Sequence, residues 1–278
     1  MIARRGSIAE AEHRVHAAMV DRSGRVVRAA GDPELVCFLR SAAKPIQALP
    51  LARSRDDLDD HDLAIASASH LAQPLQLEAV RALLAKAPAA EDELECGEGI
   101  PHNCSGKHAG MLALCRARGW PTEGYRLPDH PCQRAMLAAV EEAIEEPPLE
   151  TATDGCGVVT FAYPLERMAY AFARFEILPE GKRVADAMRG HPELVRGPGA
   201  ADTRLMQLRS GWFAKGGAEG LLCAGDGRGM GIALKVEDGA GRALGPAVAA
   251  FVGGPEELAV APLLNSRGER VGEIVAEV

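Results

Sequence analysis

An α+β fold is predicted, with a mixed, mainly antiparallel sheet lobe built from both ends of the chain and a helical lobe inserted between them. Three observations support it. Short apolar runs separated by turn residues fill the first forty positions and return after Phe213. Apolar residues at helical spacing dominate from Asp57 to about Glu146. Strands in quick succession, joined by tight turns, favour antiparallel pairing over repeated strand–helix–strand units. The lobes divide as residues 1–56 with 149–278 for the sheet and 57–148 for the helices.

The elements follow in order. Val15–Val20 and Arg25–Ala30 are strands joined at Asp21–Gly24, and Gly31-Asp32-Pro33 is a turn. A helix opens at Ser41, with Pro45 placing that serine at or just before the first turn. Lys44 precedes a proline, which disfavours helical geometry there, so the helix start carries a local conflict. Leu75–Ala85 is helical through Leu77, Val80, Leu83 and Leu84. Gly106–Arg118 is a helix ended by Gly119, and Pro131–Ile144 starts on a proline. Between them Ala87–Gly99 is acidic and exposed, and Pro147-Pro148 closes the block. Leu165–Arg174 and Gly181–Met188 are helices; Phe213–Lys215, Gly220–Ala224 and Gly229–Val236 are strands. Pro246–Phe251 is a short helix and Glu269–Val278 a terminal strand.

Composition excludes some classes. The 278 residues suffice for one large core or two coupled lobes. A hydrophobic fraction of 47% and a charged fraction of 25% are ordinary for a soluble globular protein. The net charge of -8 argues against a nucleic-acid or anionic-membrane surface. No run approaches the roughly 20 apolar residues of a membrane span. Met1–Ser7 has basic residues but no apolar stretch after them, so no secretory signal is expected. Seven cysteines, an odd number without framework spacing, fit a reducing, cytoplasmic setting.

The polar clusters inside apolar or small-residue segments carry the chemistry. Ser41 and Lys44 share one face of a helical turn, where an amine can take a hydroxyl proton and make the serine a nucleophile. Read alone, the pair is a capping serine followed by an exposed lysine. Ser69-His70 follows the small-residue run Ala64–Ala68, which suits the end of a packed helix at a cleft, or a satisfied core histidine. Cys104-Ser-Gly-Lys107-His108 and Asp154-Gly-Cys156-Gly resemble a metal site more than a disulfide; two thiolates and a third ligand from Lys107, His102 or His108 suit zinc. Two buried free thiols are the simpler reading. Lys235 lies on a strand-like run and is read as facing the helix of Ser41, against the commoner role of a solvated edge lysine. Lys215–Gly220 reads as a flexible turn and lacks the order of a phosphate loop.

In this order the pieces resemble the bacterial L-asparaginase II family of the Rhizobium etli type. The segments that carry the likeness are Arg40–Pro50, Ala68–His70, His102–Met111, Asp154–Gly157, Arg196–Gly199, Asp202-Thr203, Ala214–Gly220 and Gly231–Lys235. The resemblance implies the serine β-lactamase and penicillin-binding fold, shared with serine glutaminases. It implies paired Ser41–Lys44 and Ser69–Lys235, zinc held by Cys104, Lys107 and Cys156, and a homodimer. The expected activity is hydrolysis of the side-chain amide of L-asparagine through an acyl-enzyme on Ser41, with Arg40, Asp154 and His70 binding substrate. A glutaminase or β-lactam hydrolase, or a catalytically weak zinc-containing amino-acid binding protein, are the alternatives. After Ser69-His70 the family more often reads Ser-Gly-Glu-Pro and a histidine, where this chain has Leu71-Ala72-Gln73-Pro74-Leu75-Gln76.

Overall fold

Tight turns set the strands of the two chain ends beside one another. The computed structural model describes residues 1–277. The first strands are β1 (Ile2–Arg5), β2 (Ile8–Glu12), β3 (Val15–Asp21), β4 (Val26–Ala30) and β5 (Val36–Phe38). A 3-10 turn over Arg40–Ala43 leads into α1 (Lys44–Ala52). Then come α2 (Asp60–Ala66), α3 (Pro74–Lys86), α4 (Ser105–Arg118), α5 (Pro131–Ile144), β6 (Glu150–Thr153), β7 (Val159–Pro164) and α6 (Leu165–Arg174). The last third holds α7 (Gly181–Gly190), α8 (Pro192–Val195), α9 (Ala201–Leu208), β8 (Phe213–Gly217), β9 (Leu221–Gly225), β10 (Met230–Val236), α10 (Leu244–Val252), β11 (Val260–Leu264) and β12 (Arg270–Val275).

The α+β class is as expected. Three sheets form, in the orders β11-β12-β1-β2, β4-β3-β10-β9-β8 and β5-β7-β6. Each of these neighbouring strand pairs is antiparallel, so the sheets are not mixed. The links within the β3–β4 and β8–β9–β10 hairpins are too short for a parallel crossover. The first two sheets each join strands from opposite ends of the chain. β8 reaches Gly217, so Lys215 and Gly216 belong to a buried strand and not to the turn expected there. The short strands β1, β2, β6, β7 and β11 escaped the sequence reading, as did the brief helices α8 and α9. The predicted terminal strand is β12; its last residue, Val278, lies outside the described residues. No helix among the described residues is long and apolar enough to cross a membrane.

Two helices organise the interior. α6 packs on β3 and β10 with its small residues; a Cβ on Gly231 of β10 would lie 2.0 Å from the Ala169 carbonyl oxygen. α1 is buried along its whole length, Lys44 and Gln47 included, and touches α2, α4, α5 and α7. A helix enclosed on all sides has to be apolar all round, and Ile46, Ala48, Leu49, Leu51 and Ala52 make it so. Lys44 is helical in spite of Pro45. The proline sits in the first turn, where its missing N–H would find no partner in the helix anyway.

The start of α2 and the end of α4 are fixed locally. Asp59 and Asp62 form a reciprocal capping box on α2. Gly119 ends α4 in the left-handed conformation. Between these helices Gly106 permits near-contact of two backbones, since a Cβ there would stand 2.2 Å from the Ile65 carbonyl oxygen. Gly106→Ala is expected to cost about 2 kcal/mol or more, by the strain of overpacking. Thermal unfolding checks this; an unchanged midpoint would show that the two helices have room between them.

Candidate active site

Lys44 is the centre of the polar cluster. Its side chain is fully buried, and its amine donates to the Ala68 carbonyl, to Ser69 Oγ at 2.8 Å and to Cys104 Sγ at 3.2 Å. Burial pushes its pKa below the usual lysine value; the charge of Lys107 adds to the fall and the Cys104 sulfur opposes it. Ser69 is held by its own N–H, which donates to the Val195 carbonyl at 2.8 Å. His70 follows, buried, with its N–H on the Asn103 carbonyl. Its Nδ1 accepts from the Ala72 N–H at 3.1 Å, which places the proton on Nε2, 2.8 Å from Ser105 Oγ. Burial, then the Lys44 charge, hold this imidazole down at about 4, so it is neutral at physiological pH. Ala72 lies at φ +56, a left-handed position that glycine fills without strain.

The thiols form a second layer. Lys107 Nζ lies 3.0 Å from Cys156 Sγ. The S–H of Cys156 donates to Cys104, which lowers the Cys104 pKa and raises that of Cys156. Burial works against a charged Lys107, but the two sulfurs outweigh it and raise its pKa. The two thiols therefore titrate together beside two amines, the pKa of Cys104 moved down and that of Cys156 up. Two sulfurs and the Lys107 amine converge here, a donor set that fits zinc once that amine gives up its proton. Of the other candidate ligands, His102 Nδ1 accepts from the Cys104 N–H, and His108 Nδ1 bonds to the Tyr125 hydroxyl at 2.8 Å while its Nε2 is buried without a partner among the described residues. Among the described residues no group of three or more His, Cys, Asp or Glu side chains is arranged to hold a metal, so the set depends on the lysine.

Ser41 and β8 face this layer. Ser41 is half-buried in the 3-10 turn, and neither its N–H nor its hydroxyl has a hydrogen-bond partner among the described residues. Arg40, before it, stands at φ +47, a left-handed conformation costing roughly 1–2 kcal/mol for a residue with a Cβ. Two bonds hold it there: Arg40 N–H donates to Thr160 Oγ1 at 3.1 Å and its Nε to Asp154 Oδ1 at 2.5 Å. Burial acts to raise the Asp154 carboxyl, but Arg40, Lys107 and the Gly155 N–H together lower it. On β8, which packs against the 3-10 turn, Lys215 is fully buried. Its amine donates to the Gly216 carbonyl at 2.7 Å and lies 3.7 Å from Asp202 Oδ2, which also accepts the Gly216 N–H at 2.8 Å.

The structure therefore brings together Lys44, Ser69, His70, Cys104, Lys107 and Cys156, with the Arg40–Asp154 pair at their margin, and Ser41 joins them through its place in the 3-10 turn, where its carbonyl accepts the Lys44 N–H. Their pairing differs from the expectation, because the hydroxyl bonded to Lys44 is that of Ser69. Lys235 is not part of the group. It stands opposite His16 and Leu221 on β10, and its amine donates to the Val236 carbonyl at 2.5 Å. From β10, two strands β9 and β8 intervene before the 3-10 turn, and the lysine on the nearer strand is Lys215. Sequence reasoning missed Lys215 and Asp202. The signal was an apolar Phe213-Ala214 running directly into Lys-Gly-Gly, a strand entering a site.

The chain matches the family described as L-asparaginase II over residues 2–276. It belongs to that family. A comparison with curated proteins gave no match. Solved structures similar to it include Mglu in its native form, with 15% identity over 84% of this chain and 62% of that one, at a TM-score of 0.48. A Bacillus glutaminase in the presence of 4.3M NaCl shares 14% identity over 81% of this chain and 85% of that one, at 0.45. A probable glutaminase, ybaS, shares 16% identity over 81% and 80%, at 0.39. The chain spans less than two thirds of the length of Mglu.

The buried β8 lysine of this L-asparaginase II family member gives a pH prediction. Burial brings Lys215 down to about 7, with Asp202 opposing and Lys44 and Arg196 reinforcing. Above pH 7 the folded protein holds a neutral amine while the unfolded chain keeps its proton up to about 10. Folding then releases a proton, so stability rises with pH through this window and is lost as pH falls towards 7. Against Lys215→Met, the native protein should gain up to about 1.4 kcal/mol per pH unit between pH 7 and 9. Denaturant unfolding of both proteins measures the gap; a constant gap would show an amine with an ordinary pKa.

Proposed function

We propose that this protein hydrolyses the side-chain amide of L-asparagine to aspartate and ammonia, with Ser41 as nucleophile. The observation that carries the reading is the fully buried Lys44 amine, one turn from Ser41 and bonded to Ser69 Oγ at 2.8 Å. An amine whose pKa is lowered by burial is a base near neutral pH. Ser41 has the accessible hydroxyl, while Ser69 is only 1% exposed. Ser41 attacks the amide carbon as its proton passes to Lys44, with Ser69 as the bridging hydroxyl. The unpaired Ser41 N–H and the free edge of β8 supply oxyanion donors, each worth on the order of 3 kcal/mol. Lys44 returns the proton to the departing ammonia, and water then cleaves the aspartyl ester. Lys215 is the lysine on the strand beside the 3-10 turn, where Lys235 was expected, and burial with the Lys107 charge favours a neutral Lys44.

Zinc on Cys104, Cys156 and Lys107 would supply a Lewis-acid centre that orients substrate. The chain's own groups carry the proton transfers on this reading. A homodimer and a reducing, cytoplasmic setting belong to the same proposal; all seven cysteines are free.

Ser41→Ala is expected to lower ammonia release from asparagine by on the order of 10⁴-fold or more with the fold intact. Ser69→Ala should retain more activity, roughly 10²-fold down, as the loss of a proton relay. The reverse order would make Ser69 the nucleophile, the reading that its bond to Lys44 favours. Parallel assays with glutamine and a chromogenic β-lactam decide substrate class; turnover of either in preference to asparagine overturns the assignment. Purified protein should carry zinc by elemental analysis, and Cys104→Ala with Cys156→Ala should remove it. Equal metal content in both would place the metal elsewhere.

A further inference from the structure

The cations around the cleft are nearly all committed. Arg40 is bonded to Asp154, Lys107 to Cys156, Lys44 to Cys104, and Lys215 lies 3.7 Å from Asp202. Arg196 is the exception. Its guanidinium makes no hydrogen bond or ion pair among the described residues, and it is half-buried. Its backbone sits at the cleft wall: the residue before it, Val195, accepts the Ser69 N–H at 2.8 Å. Its charge is felt by the Lys215 amine.

One side chain holds this wall. Gln76 is 1% exposed and uses its amide fully. Its Oε1 accepts the N–H groups of Leu71 at 2.9 Å and Gln73 at 3.0 Å. Its Nε2 donates to the carbonyls of Glu193 at 2.7 Å and Arg196 at 2.8 Å. The loop after Ser69-His70 and the segment bearing Arg196 are thereby tied together. Gly197 N–H, bonded to Thr203 Oγ1 at 3.1 Å, fixes the far side.

We propose that Arg196 anchors the α-carboxylate of the substrate and that Gln76 is the positioning residue that holds Arg196 at the cleft. The inference rests on the amino-acid amide reading above. An unpaired guanidinium on the segment that accepts the Ser69 N–H, close enough to act on the Lys215 amine, is a group that a free carboxylate could meet, since a bidentate guanidinium–carboxylate pair is strong and directional. Arg40, expected to bind substrate, has its Nε engaged by Asp154. The chain would therefore prefer free amino acids to amides lacking the carboxylate.

The test compares L-asparagine with 3-aminopropanamide, which is asparagine without its carboxylate. Binding is measured by calorimetry and turnover by ammonia release, on the native protein and on Arg196→Met, Arg196→Lys and Gln76→Glu. The native protein should favour asparagine by roughly 10²-fold or more. Arg196→Met should erase that preference by weakening asparagine alone, and Arg196→Lys should restore part of it. Gln76→Glu can still accept from Leu71 and Gln73 but cannot donate to the carbonyls of Glu193 and Arg196. It should raise KM for asparagine severalfold while kcat stays near the native value. A merely structural role would weaken both compounds alike in Arg196→Met, and that result overturns the proposal, as does a native protein that binds neither compound. Selective binding without ammonia release would support the anchor and count against hydrolysis alone.

Discussion

The burial of one amine is the constraint on which this architecture rests. A lysine in a fully enclosed helix would be costly if its charge were left unsupported. The enclosure of Lys44 is accommodated because three acceptors meet it from separate elements: a carbonyl and a hydroxyl after α2, and a sulfur at the start of α4. The same contacts explain how its backbone stays helical before a proline. They also dictate that α1, α2 and α4 meet at one point, with the catalytic candidates drawn from all three.

Around that point protons are shared. The pKa of Cys156 is raised and that of Cys104 lowered by their mutual contact, the two sulfurs raise Lys107, and burial lowers Lys44. These are partners inside a dry layer, where attraction is much stronger than in water. The many ion pairs on the outside, such as Arg5 with Glu10, are solvated and contribute little. Removing a member of the inner set changes the protonation of the others, so the group is best thought of as one titrating unit.

Much of this was legible in the sequence. The helices α3, α4 and α5 announced themselves by apolar spacing, by Gly119 and by the proline at position 131. The cluster of Ser41, Lys44, Ser69, Cys104, Lys107 and Cys156 was readable as chemistry set in apolar surroundings. What was not readable was which strand neighbours the 3-10 turn. Lys215 and Lys235 both sit on short strands with glycines nearby, and local sequence does not say that the chain folds β10 inward and leaves β8 at the edge. Glycines at 216 and 217 mimic a flexible turn when in fact Gly217 lets the β8 backbone pass close to the Leu39 carbonyl and Gly216 makes room for the Asp202 carboxylate. The pairing of Lys44 with Ser69 was hidden for a related reason, since it depends on where α2 ends in space. Strands β6 and β11 are short and partly exposed, and they lack the apolar alternation that marks a half-buried strand.

The close approach at Gly106 has a mechanical consequence. With the backbones of α2 and α4 jammed together, the hydroxyl after α2 and the thiol layer at the head of α4 behave as a single rigid jaw. Any movement to admit a molecule would be expected on the facing side, where the segment before Arg196-Gly-Pro-Gly199 is joined to it by the Ser69 N–H and the Gln76 amide. Entry and exit would then be governed by loosening on one side only, while the proton-handling groups on the other keep their spacing throughout a turnover.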